Sequence, residues 1–133
     1  MNKIELHAVL PEVFAQRTDI DSEIWQQEVC FERGHLYLIE ADSGTGKSSL
    51  CSYIIGYRHD YRGTIEFDGK NISNLKVMGW VDVRKHSLSH LFQELRLFPE
   101  LTAYENVEIK NKLTGFKTAK QIAEWFEMLG IAD

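Results

Sequence analysis

Residues 38–56 read LIEADSGTGKSSLCSYIIG: an apolar run, a small glycine-rich turn ending in a lysine, and a second apolar run. Ala41, Gly46, Lys47 and Ser48 fit the spacing (A/G)-x-x-x-x-G-K-(S/T), with Asp42, Ser43, Gly44 and Thr45 between them and Ser49 directly after. These residue types in this order suit the binding of a polyphosphate. Glycines at 44 and 46 allow positive φ, which turns successive backbone N–H groups to one side and makes an anion site at the positive end of the following helix. Lys47 can reach the outer phosphates as a compact point charge, and the Ser48 hydroxyl is spaced to ligate a magnesium ion bridging the same phosphates. Asp42 brings a negative charge close to them, so the loop must direct it outward. The bland alternative is an ordinary glycine-rich turn with a solvated lysine. A strand before the turn and a helix after it are what the phosphate reading requires, and the flanking apolar runs supply both patterns.

The elements around this turn alternate in type. KIELHAVL and IWQQEVCFE show strand-like alternation, and HLYLIEA is short and apolar enough for a buried strand. A helix is predicted from near Gly46 to near Gly56. GTIEFDG reads as a strand closed by an Asp-Gly turn, residues 70–85 are ambiguous, and SLSHLFQ alternates again. Thr102 and Glu105 form a capping box opening a helix through about Leu113. Thr118 and Gln121 open another, with Ile122, Trp125, Phe126 and Leu129 on one face and Gly130 as its C-terminal cap. Strands, a strand–loop–helix unit and late helices indicate a mixed α/β fold without internal repeats.

Composition bounds the partners. With 133 residues, 44% hydrophobic and 26% charged, the chain has the make-up of a globular domain with enough apolar material for a core. A net charge of −5 argues against nonspecific binding to nucleic acid or to an anionic membrane surface, both of which need a surplus of lysine and arginine. Cys30 and Cys51 lie in apolar segments without metal spacing and read as core thiols of a reduced compartment. No apolar run approaches the roughly 18 residues of a membrane span, and MNKIELHAVLPE lacks the apolar region of a signal peptide, so a cytosolic location is expected. The five histidines show no HExxH or paired metal spacing, Arg84–His86 reads as a solvated basic turn, and Glu100 and Glu105 belong to a loop and a cap.

Taken in order, the motifs resemble those of the ATP-binding subunits of ABC transporters. ADSGTGKSSL looks like the Walker A of that family, RGTIEFDGKNIS is similar to its following strand and turn, and LSHLFQELRLFPELTAYENV looks like its Q-loop, with Gln93 at the strand end. The resemblance runs from KIEL to MLGIAD. It implies a P-loop NTPase fold of ABC type, α/β, with an N-terminal antiparallel β-subdomain and the start of the helical subdomain. It also implies ATP and Mg2+ as ligands, with Ser48 and Gln93 near the metal and Gln93 positioning the attacking water. An amide can accept from water and ligate a metal. The family's adenine platform is an aromatic after the first strand. Phe14 fits that place with about a one-residue insertion, and a loop Phe folded onto the core is the other reading; Trp25 reads as strand packing.

The family's signature, Walker B aspartate, catalytic glutamate and switch histidine find no match in the sequence, so residues 1–133 are expected to correspond to the N-terminal part of a nucleotide-binding domain. By themselves they are expected to bind ATP without hydrolysing it. In the full protein the resemblance implies hydrolysis driving transport, a head-to-tail dimer with a second nucleotide-binding domain, and transmembrane subunits contacted through the Q-loop region. That location is peripheral, on the cytoplasmic face of the membrane, with no nucleic acid involved. A truncated binding module without catalysis and a soluble, non-transport ABC ATPase are the alternatives.

Overall fold

The computed structural model describes residues 1–94 and 96–132; Leu95, inside the block resembling a Q-loop, and Asp133, at the end of MLGIAD, lie outside the described residues. The chain divides into two compact units, Met1–Ser89 and His90–Asp133.

The first unit is organised by strand β1 (Lys3–Pro11), which lies inside an antiparallel sheet of order β2-β1-β3-β4 with β2 (Glu28–Glu32), β3 (Tyr61–Phe67) and β4 (Lys70–Asn71). Alternation in the sequence becomes a face. Leu6 stands opposite Val29 on one side and Ile65 on the other, while Glu5, opposite Cys30 and Glu66, belongs to the other face. The register slips between His7 and Leu10, where Ala8 takes φ 49°, and Val9, Leu10 and Pro11 are then buried in succession instead of alternately. Asp68 and Gly69 both take positive φ, giving the two-residue turn that DG predicts between β3 and β4. The Asp68 carboxylate accepts from the backbone N–H groups of Asn2 and Lys3 at 2.8 and 2.9 Å, and these bonds hold its carboxyl below the ordinary range.

Helix α1 (Lys47–Ile54) completes the layer, burying Leu50 and Tyr53 with Leu6, Val9, Trp25 and Ile65. Each such side chain contributes roughly 1.5–3 kcal/mol of transfer free energy. Helix α2 (Val77–His86) resolves the ambiguous stretch. Its Trp80 meets Phe67 edge to face at 6.1 Å, and Arg84 Nη2 donates to the Ile55 carbonyl at 2.9 Å while its guanidinium lies over Tyr57 and Trp80. Arg84 is therefore a helical residue capping the end of α1, and the expectation of a solvated basic turn is corrected.

Other expectations also change. Residues 35–41 and 87–93 form no strand, and Leu36, Leu38 and Leu91 are 99%, 82% and 93% exposed. A strand needs a ladder partner for its N–H and C=O groups, and among the described residues no segment pairs with either stretch. The strand predicted over residues 24–32 starts only at Glu28, because Ser22 Oγ accepts from the N–H groups of Ile24 and Trp25 and Gln26 takes φ 62°. Cys30 and Cys51 are free and exposed, not core thiols: Cys30 shares the outward parity of Glu28 and Glu32, and Cys51 sits one residue past the buried Leu50, turned off the apolar stripe.

The second unit contains α3 (Ala103–Thr114) and α4 (Ala119–Leu129), both opened by the expected capping boxes and both ended by a left-handed glycine, Gly115 and Gly130. Thr102 Oγ1 accepts from the Glu105 N–H at 3.2 Å, and the Glu105 carboxylate accepts from the Thr102 N–H at 2.8 Å, which holds that carboxyl below its usual range. Asn106 ties down the preceding loop by donating to the carbonyls of Phe98, Leu101 and Thr102 and accepting from the Phe98 N–H. On the apolar face of α4, Ile122 is fully buried and Phe126 meets Tyr104 edge to face, while Trp125 and Leu129 are exposed.

Candidate functional site

The turn before α1 has the backbone its glycines imply: Gly44 and Gly46 take φ 83° and 100°, and Gly46 is the N-cap of α1. No side chain caps this helix, so its first-turn N–H groups, which by geometry lack partners four residues back, face the loop. A helix N-terminus carries about half a positive charge, and an anion is its natural complement.

The turn is also tied to itself. Lys47 Nζ donates to the carbonyls of Ala41 and Asp42, the second at 2.7 Å, and Thr45 Oγ1 donates to the same Asp42 carbonyl at 2.7 Å. Lys47 thus lies across the mouth of the turn with its ammonium on neutral acceptors, which a phosphate oxygen would exceed in strength. Asp42, Ser43 and Gly44 are exposed, as is Ser48, whose carbonyl accepts from Ser52 Oγ at 2.8 Å. Ser49 turns elsewhere: its Oγ accepts from Arg58 Nη1 at 2.9 Å, and Arg58 pairs with Asp60.

Two aromatic rings pack against the turn. Phe14, at the end of the 3-10 turn Glu12–Phe14, and Trp25 both press on Gly46, where an added Cβ would lie 3.3 Å from Phe14 Cε2 and 2.8 Å from Trp25 Cζ2. Only glycine fits there, on steric as well as conformational grounds. The Trp25 indole Nε1–H donates to the Thr45 carbonyl at 2.8 Å. Trp25 is thus a support of the turn and lies on no strand, which corrects the strand-packing reading. The contact spans twenty residues of sequence, and the only sign of it was that a buried indole N–H requires an acceptor.

A cleft of about 500 Å³ opens in front, lined by Phe14, Arg17, Trp25, Ala41, Thr45 and Lys47 among others. Its size and its mixed apolar and polar lining are those of small-molecule sites. The Arg17 guanidinium lies 5.5 Å from the Phe14 ring centroid and pairs with Asp19. The structure therefore brings Phe14, Ala41, Thr45 and Lys47 to one cleft, while Asp42, Ser43, Gly44, Gly46 and Ser48 are not among the residues that line it. Gln93 belongs to the second unit, in a bend, exposed, next to Phe92, which stacks edge to face with His90.

The ABC transporter family profile matches residues 26–133. The ABC transporter ATP-binding protein YtrE of Bacillus subtilis (strain 168) is 33% identical over 97 residues, covering 73% of this chain and 42% of that protein. The uncharacterized ABC transporter ATP-binding protein YknY of the same organism is 33% identical over 125 residues, 92% of this chain and 51% of its own. The glycine betaine/carnitine transport ATP-binding protein GbuA of Listeria monocytogenes serotype 1/2a (strain 10403S) is 34% identical over 104 residues, 76% of this chain and 26% of its own. The chain thus spans about half the length of these relatives or less. Among the described residues no helix is long and apolar enough to cross a membrane. With its glycine turn and lysine in the matched region, the chain belongs to the ABC transporter family, alongside that family's ATP-binding proteins.

Proposed function

We propose that the chain binds Mg-ATP in the cleft before α1, and that in the complete protein its hydrolysis drives transport through membrane subunits. One observation carries this: Lys47, first residue of a helix that two left-handed glycines precede and no side chain caps, lines a cleft that Phe14 lines as well. The donor set fits a triphosphate with its metal. Backbone N–H groups of residues 44–48 hold phosphate oxygens, Lys47 exchanges its two loop carbonyls for β and γ oxygens, and the Ser48 hydroxyl ligates Mg2+. Mg2+, when bound, neutralises charge on those phosphates. Phe14, already beside Arg17, stacks on the adenine.

Gln93 acts in the complete protein as the residue that positions water and metal, and its segment meets the membrane subunits. A second nucleotide-binding domain docks head to tail, and the assembly lies on the cytoplasmic face. Residues 1–133 alone bind without turnover, because no acidic residue in them matches the family's catalytic base and a phosphate cradle lacks the positioned proton acceptor that hydrolysis needs. Isothermal titration of the chain with Mg-ATP tests the reading: binding by the wild type and its loss in Lys47→Ala are expected, and equal affinity for both overturns it. Sustained phosphate release that depends on Lys47 would refute the absence of turnover.

A further inference from the structure

We propose that Trp25 is a positioning residue for phosphate binding, holding the Thr45–Gly46 peptide in the one orientation that presents the Gly46 N–H to an anion. The inference rests on the phosphate-binding reading of the turn and adds to it the group that selects its backbone state.

The freedom that lets Gly44 and Gly46 take φ 83° and 100° also lets the peptides between residues 44 and 46 rotate. In a trans peptide the C=O and the following N–H point in opposite directions. A half-turn of the Thr45–Gly46 peptide would therefore withdraw a donor from the anion site and put a carbonyl oxygen in its place, opposing phosphate instead of attracting it. The Trp25 indole removes that alternative. Its N–H holds the Thr45 carbonyl at 2.8 Å, and by planarity the Gly46 N–H faces the other way. Its ring fills the space over Gly46, where an added Cβ would meet Cζ2 at 2.8 Å.

Trp25 is itself fixed. It is 7% exposed and packed in the core with Leu50 and Tyr53, and its backbone N–H donates to Ser22 Oγ at 3.0 Å. The indole is thus part of the rigid layer that carries α1, and the turn is registered to that layer through one hydrogen bond and one face contact.

The test uses inorganic triphosphate with Mg2+, which probes the turn without a base. The chain has three tryptophans, Trp25, Trp80 and Trp125, so the indole N–H signals of a 15N-labelled sample can be assigned by single substitution. On saturation with Mg-triphosphate the Trp25 indole signal of the wild type should move, and with Lys47→Ala it should stay where it was. Trp25→Phe keeps a ring and loses the donor, and should weaken triphosphate about three- to tenfold, the range expected from one hydrogen bond. Trp80→Phe, which alters core packing in the same unit without touching the turn, should leave affinity unchanged; an equal loss there would reduce the Trp25 effect to general destabilisation and overturn the assignment. An unmoved Trp25 signal at saturation, or wild-type affinity in Trp25→Phe, overturns the role of Trp25 while leaving the phosphate site intact. If Trp25→Phe fails to fold, the wild-type signal decides alone. A wild type that binds neither triphosphate nor Mg-ATP overturns the phosphate site and this inference together.

Discussion

The turn at residues 41–46 and the segment around Gln93 both carry residues expected at one chemistry, yet the structure treats them differently. The turn is held by its own atoms and by Trp25: Lys47 and Thr45 bond back to the Ala41 and Asp42 carbonyls, and glycine φ values set the path of the chain. Gln93 lies exposed in a bend where alternation predicted a strand end. A site made of backbone donors is specified by the residues that contain it, since Gly, Lys and a helix start suffice to shape it. A site made by a side chain at a strand end depends on the ladder that fixes the strand, and no described segment provides one for residues 87–93.

That contrast predicts unequal consequences for binding. Lys47→Ala should have the largest, because it deletes the side-chain cation proposed to pair with the phosphates. A hydrogen bond to a charged group is worth about 1.5–3 kcal/mol, so Mg-ATP affinity should fall roughly ten- to more than a hundredfold. Titration calorimetry reads this directly, and a fall of the same size for inorganic triphosphate would locate the loss at the phosphates.

Phe14→Ala should come next. Stacking of a base on an aromatic ring contributes roughly 1–3 kcal/mol, so ATP should weaken several-fold while Mg-triphosphate keeps its affinity. Because the Phe14 ring also presses on Gly46, the two ligands separate its possible roles. Equal weakening of both would mean that the ring supports the turn and does not hold the base. Gln93→Ala should change ATP affinity least, staying within about twofold, while lowering turnover in the complete transporter, since its proposed work is on water and metal in the transition state. Unchanged turnover in the assembled complex would remove Gln93 from the mechanism and leave the contrast between the two regions as one of order alone.

Much of this was legible in the residues because the determining forces are local. The Thr102 and Thr118 capping boxes, the Asp-Gly turn, the left-handed Gly44 and Gly46, and α1 all follow from interactions within about four residues. What the sequence hid was long-range. Alternation predicts β1 correctly, but the apolar run HLYLIEA and the alternating SLSHLFQ find no partner among the described residues: a pattern says which face a strand would bury, never what pairs with it. Trp25 and Arg84 depart from the sequence expectation for the same reason: their partners, the Thr45 and Ile55 carbonyls, are twenty and twenty-nine residues away. The cysteines differ for another reason, since an apolar neighbourhood in sequence does not fix the inward parity of a strand or helix.

The smallest effect is expected on the outer face of the sheet, remote in kind from either loop. His7 Nδ1 lies 2.5 Å from the Glu28 carboxylate and Nε2 lies 3.8 Å from that of Glu66. The hydrogen bond to Glu28 raises the imidazole above its ordinary value; burial opposes it, and the charges of Glu28, Glu66 and Glu5 add to the rise. A group whose folded value is raised stabilises the fold fully below its unfolded value, about 6.5, and that contribution disappears as pH rises through the folded value. The unfolding midpoint of the wild type should therefore drop as pH is raised through neutrality, and His7→Gln, which keeps a polar side chain without a titrating ring, should flatten the drop. The pair is solvent-screened, so the change should be small and smaller still in high salt. Because His7 lines no part of the cleft, triphosphate affinity should be the same in His7→Gln and wild type across that range. A wild-type and His7→Gln chain with parallel pH profiles would assign the slope to other groups, and a change in triphosphate affinity would mean that the sheet face and the turn are coupled through β1 after all.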